Sequence, residues 1–134
     1  MNNQKKPFIP LSDDMVPFIH SLIDSSPVSV KYDNSAVIYE MCIVGDRYME
    51  LSRDFFTNDN KTIEVEYNIF IYEKDTKYEE NVATMTLPAN RRIFTPREQK
   101  IIDVFNACSK RVIQQEMHLL QNKFILLSSE YTHN

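Results

Sequence analysis

Gly45 is the only glycine in a chain of 134 residues, and that scarcity restricts both the fold and the chemistry. It separates the apolar run from Ala36 to Val44 from the segment Arg47 to Leu51, a placement that fits a tight hairpin needing one positive backbone dihedral. Phosphate-cradling loops and dinucleotide fingerprints depend on several glycines that let the backbone approach phosphate. Nucleotide-dependent enzymes of those kinds are therefore excluded.

Around that hairpin the hydrophobic period is two. Val28, Val30 and Tyr32 alternate with Ser29 and Lys31, and Asp33-Asn34 supplies a turn. The run Ala36 to Val44 is nearly all apolar, which predicts a central strand covered on both faces. From Ser52 to Lys61 a polar excursion containing Phe55 and Phe56 predicts a short helical turn plugging one end of the core, followed by a turn at Asn58-Asp59-Asn60. Thr62 to Glu73 is the clearest strand: Ile63, Val65, Tyr67, Ile69 and Ile71 fall on one face, and Glu64, Glu66 and Asn68 on the other. Phe70 and Tyr72 share that second face, where aromatics need either cover from the same chain or a protein partner. Asn81 to Leu87 is a last strand, ended by Pro88. Short connections throughout imply an antiparallel sheet, because parallel neighbours would need crossover segments.

Helical periodicity flanks this β-rich centre. Ser12-Asp13-Asp14 reads as an N-cap with acidic first-turn residues, giving a helix over about 12–25 that ends at Ser25-Ser26-Pro27. Thr95-Pro96-Arg97-Glu98 is a capping box with proline at the first helical position. Downstream, Ile101, Phe105, Cys108 and Val112 form one apolar stripe, and Ile113, Met117, Leu120, Phe124 and Leu127 form a second, displaced by one residue. The displacement arises either from a break near Cys108-Ser109 or Gln114-Gln115, or from a continuous helix whose second half packs on another chain. The lack of Gly and Pro between 96 and 127 favours continuity. Such a helix outruns the body of a small domain, so Met117, Leu120, Phe124 and Leu127 are expected to meet a partner, most simply a second copy. The expected fold class is α+β: an antiparallel sheet of four to five strands with an N-terminal helix and a long C-terminal helix packed on it. One domain spans 1–134, with 1–6 and 128–134 loose.

Formal charge is −4, unevenly distributed. Residues 1–89 carry eight Lys and Arg against fifteen Asp and Glu, whereas residues 90–134 carry seven against four. An acidic body disfavours broad nucleic-acid binding but leaves a local basic patch at Arg91, Arg92, Arg97 and Lys100, with Lys110 and Arg111 further along. No membrane span or signal-peptide core is evident, which points to the cytoplasm. Cys42 and Cys108 sit among apolar neighbours and read as two buried, unpaired thiols of a reducing compartment. His20, His118 and His133 lie far apart without a ligand motif, so no metal and no cofactor is expected. No catalytic constellation emerges. Asn (eleven) and Ile (thirteen) are abundant, as in AT-rich genomes such as those of many phages.

The phrase FTPREQKII resembles the opening of the LuxR-type helix-turn-helix. The glycine turn of that pattern is replaced by Asn106-Ala107-Cys108-Ser109, and no basic recognition helix follows Gln114. The segment RIFTPREQKIIDVFNACSKRVIQQEM is similar to the closing helix of GAF domains, over the last quarter of the chain. That resemblance implies a sensor of the GAF or PAS kind with a small ligand between sheet and helix. The leading expectation is a non-enzymatic, dimeric protein-binding regulator or inhibitor, phage-encoded in origin, using Phe70, Tyr72 and the second helical stripe. The alternatives are a nucleic-acid-associated regulator using the basic patch, and the ligand sensor.

Overall fold

A computed structural model describes residues 7–131. The order is α1 (Met15–Ser25), β1 (Ser29–Asp33), β2 (Ala36–Val44), β3 (Arg47–Thr57), β4 (Ile63–Glu73), β5 (Glu79–Pro88) and α2 (Pro96–Tyr131). The fold is α+β. The five strands form one sheet in sequence order, each antiparallel to the last.

Four hairpins join the strands, and each contains one residue with positive φ: Asn34 (54°), Gly45 (57°), Lys61 (61°) and Asp75 (63°). The single glycine thus serves the β2–β3 turn, as its position predicts. Asn and Asp tolerate this region better than other side chains, whereas Lys61 occupies it at a steric cost. Lys61 is held there by Asn58: the Lys61 amide donates to the Asn58 carbonyl at 2.9 Å, while Asn58 Oδ1 accepts from the amides of Asn60 and Thr62 at 3.0 Å each.

One face of the sheet carries the core. Tyr39 and Met41 of β2, Met49 and Leu51 of β3, Val65 and Ile69 of β4, and Ala83, Met85 and Leu87 of β5 are all buried. Both helices close over it, α1 through Ile19, Leu22 and Ile23 and the first half of α2 through Ile101, Val104, Phe105 and Cys108. The Phe105 ring stands edge-on to Tyr67 and Tyr39, with centroids at 5.0 and 6.5 Å. Burial of this kind contributes roughly 1.5–3 kcal/mol per large apolar side chain and dominates the stability of a domain this size.

Several expectations are corrected. Residues 52–57 continue β3 as strand, pairing from Ser52↔Asn68 to Thr57↔Ile63, so Phe55 and Phe56 lie on opposite faces of a ribbon and not in a helical plug. Strand pairing satisfies the backbone of this polar stretch better than one isolated helical turn would. β2 is internal to the sheet but covered on one face only, because both helices take the same side; Cys42 is accordingly half-buried. α1 begins at Met15, so Asp13 and Asp14 precede it, with the Met15 and Val16 amides donating to the Ser12 carbonyl. α2, by contrast, runs unbroken from Pro96 to Tyr131, the continuous alternative. Residues 1–6 and 132–134, including His133, lie outside the described residues.

Candidate interaction surfaces

α2 contains 36 residues, about 54 Å of helix at 1.5 Å per residue. Its start is fixed by the capping box: the Glu98 amide donates to Thr95 Oγ1 at 3.2 Å, and the Thr95 amide donates to Glu98 Oε1 at 2.9 Å. Its last anchor on the body is Gln115, whose side-chain amide bonds the Val28 backbone in both directions. From Glu116 to Ser128 every residue is exposed. Met117, Leu120, Phe124 and Leu127 are 57%, 64%, 70% and 53% exposed, and Ile113 stands open beside them. The first stripe also continues outwards, because Leu119 and Leu126 lie seven and fourteen residues beyond the half-buried Val112 and are exposed. The second half of the helix therefore presents an apolar surface that no described part of the chain covers.

The other candidate surface is the sheet face turned away from the helices. Phe70 and Tyr72 are half-buried there, with no helix over them. Register places Glu50 opposite Phe70 and Tyr48 opposite Tyr72. The Tyr48 and Tyr72 rings stack at 5.7 Å and 22°, the Lys74 ammonium sits 4.4 Å from the Tyr48 ring centre, and the Tyr72 hydroxyl donates to the Glu40 carboxylate. Burial, then the Glu40 hydrogen bond and charge, hold the Tyr72 hydroxyl well above its ordinary pKa. Burial also raises Glu50, and the neighbouring Glu40 and Glu79 carboxylates add to that rise while Lys31 opposes it. Glu50, Phe70, Tyr72, Tyr78 and Glu79 line an open depression on this face. The arrangement is a patterned aromatic and acidic surface; among the described residues no group of His, Cys, Asp and Glu is placed to hold a metal.

Phe70 and Tyr72 thus lie on the opposite side of the sheet from α2, so the six residues singled out from sequence form two surfaces and not one. Sequence reasoning missed Glu40, Tyr48 and Lys74, whose relation to Tyr72 depends on cross-strand register, and it missed Gln115, whose partner is far away in sequence. Leu119 and Leu126 were legible in principle as the continuation of the first stripe.

The basic residues near the start of α2 are engaged within the chain. Arg91 Nη1 bonds Glu98 Oε1 at 3.1 Å, the Arg97 guanidinium lies 5.1 Å from the Phe8 ring centre, and Lys100 pairs with Asp13. Arg92 is exposed. Each of the first three charges, unfavourable at the positive end of a helix, is offset by a carboxylate or an aromatic ring. Among the described residues no helix is long and apolar enough to cross a membrane. Comparison with family models, with curated proteins and with solved structures gives no match for this chain.

Proposed function

We propose that this protein is a non-enzymatic protein-binding module that pairs with a second copy of itself through the distal half of α2 and regulates or inhibits another protein. The observation that carries the reading is the apolar stripe Met117, Leu120, Phe124 and Leu127, more than half exposed on a helix that has left its own core. Soluble proteins rarely leave a contiguous apolar surface of this kind uncovered. A standard interface buries about 800 Å² per partner, and the five exposed stripe residues Ile113, Met117, Leu120, Phe124 and Leu127, with Leu119 and Leu126 beside them, supply the apolar part of such an area. Pairing through α2 leaves the aromatic and acidic sheet face, with Phe70 and Tyr72, open for the regulated partner.

Sedimentation equilibrium at micromolar concentration tests the first step. A dimer is expected, and Leu120→Asp with Phe124→Asp should dissociate it at least a hundredfold while leaving the body folded. A wild-type monomer at those concentrations would remove the reading. The nucleic-acid alternative draws less support, since Arg91, Arg97 and Lys100 are engaged within the chain; binding in a gel shift that weakens steeply with salt would restore it.

A further inference from the structure

Granting the self-association proposed above, we infer that the two α2 helices pair antiparallel, in a register set by Glu116 of each copy facing Lys123 of the other. Ile113, Met117, Leu120, Phe124 and Leu127 step by four, three, four and three residues, the seam of a two-helix coiled coil. Glu116 and Lys123 each precede a seam residue, so both lie on the same flank; Gln114 and Gln121 lie on the other.

Those two charges are unusual on their own helix. Glu116 has Val112, Ile113, Leu119 and Leu120 at three and four residues' distance, and Lys123 has Leu119, Leu120, Leu126 and Leu127. Neither therefore has an opposite charge within helical reach, and both are exposed with no ion pair among the described residues. A charge set within an apolar surface needs its counterpart from whatever covers that surface.

The two orientations treat these charges differently. In a parallel pair each flank meets the opposite flank of the second copy, which sets Glu116 against Gln121 and Lys123 against Ser128. Neither contact is an ion pair. In an antiparallel pair like flanks meet. With Met117 opposite Leu120 and Ile113 opposite Phe124, Glu116 faces Lys123 twice by symmetry and Gln114 faces Gln121. Sliding this arrangement by one heptad in either direction brings Glu116 against Glu116 or Lys123 against Lys123, so the charges select the register as well as the direction. The flanking body leaves room for the returning helix, because Asn106 and Lys110, which continue the seam towards the core, are exposed. Antiparallel helix dipoles also attract each other.

The test uses the full chain with E116K, K123E, an equimolar mixture of the two, and the double variant, compared by sedimentation equilibrium. Each single variant turns both cross-pairs into like charges, and dimerisation should weaken about tenfold. The mixture should recover near wild-type affinity as a heterodimer, and the double variant as a homodimer. If the single variants dimerise as tightly as wild type, or if the mixture stays as weak as its components, the antiparallel register is overturned while the dimer stands. A monomeric wild type would overturn the dimer itself. Retention of the near-ultraviolet circular dichroism of the body confirms that each variant remains folded.

Discussion

Gln115 reaches from α2 to Val28, donating from Nε2 to the carbonyl at 2.7 Å and accepting the Val28 amide on Oε1 at 2.8 Å. This paired bond imitates a rung of a β-ladder, and it ties the helix to the segment just before β1 at the point where α2 leaves the body. Gln115→Ala leaves a part-buried amide and carbonyl without partners. The variant should lose about 2 kcal/mol in urea unfolding, whereas Gln114→Ala, at an exposed neighbour, should stay within about 0.5 kcal/mol.

The hairpins make opposite predictions for two substitutions. A Cβ at Gly45 would meet nothing within 4 Å, so the cost of Gly45→Val is the backbone penalty at φ 57°, about 1–2 kcal/mol or more for a β-branched residue. Lys61→Gly relieves the same kind of strain at φ 61°, and after the added freedom of the unfolded chain should stabilise by about 0.5 kcal/mol. Thermal melting of both variants checks the pair. An unchanged melting temperature for the valine variant would count against the tight β2–β3 turn.

Glu50 gives a signed pH dependence. Its folded pKa is raised above the ordinary 4.5, so the folded state holds a proton that the unfolded state has released. Stability is therefore undiminished below about pH 4.5 and falls as pH rises through the folded value. Glu50→Gln should raise the melting temperature at pH 7 by roughly 1–2 °C, a small effect because half-exposed charges are screened, and should make no difference at pH 4. Equal gains at both pH values would contradict this account.

The two thiols should separate kinetically. Cys108 is buried between α2 and the sheet, and burial pushes its pKa up to about 12; Cys42 is half-buried on the helix-free face, with Sγ 3.5 Å from the Gly45 carbonyl oxygen. A thiol-specific reagent should label Cys42 in the native protein and reach Cys108 only when the core opens. Mass spectrometry after brief labelling reads one adduct per chain, and two after denaturation.

Where a pattern repeats locally, the sequence is a good guide to this fold. Ile63 to Ile71 alternates cleanly, Thr95 and Glu98 form the capping box their spacing predicts, and Ile101, Phe105 and Cys108 are buried on schedule. The failures share a cause. Ser52 to Thr57 is polar because the end of β3 is open, with residues 54–57 exposed on both faces, and polarity alone does not distinguish such a strand from a loop. Val44, Ile38 and Cys42 give β2 the look of a strand buried twice over, yet nothing in the run itself says that both helices lie on one side. Glu40, Tyr48, Tyr72 and Lys74 meet only after three strands are set in register, which no short window contains. The displaced second stripe from Ile113 to Leu127 was readable, and its residues are exposed along the distal half of α2.

The stretch beyond Gln115 has a thermodynamic character of its own. An isolated helical run of about 15 residues is marginal in water, and this one has no core of its own to lean on. Under the pairing proposed above its order comes from association, so it should melt by a second-order equilibrium while the sheet and its two helical covers unfold as a first-order unit. Helicity measured at 222 nm then becomes a titratable quantity: diluting the protein should unwind the end of α2 long before it disturbs the body.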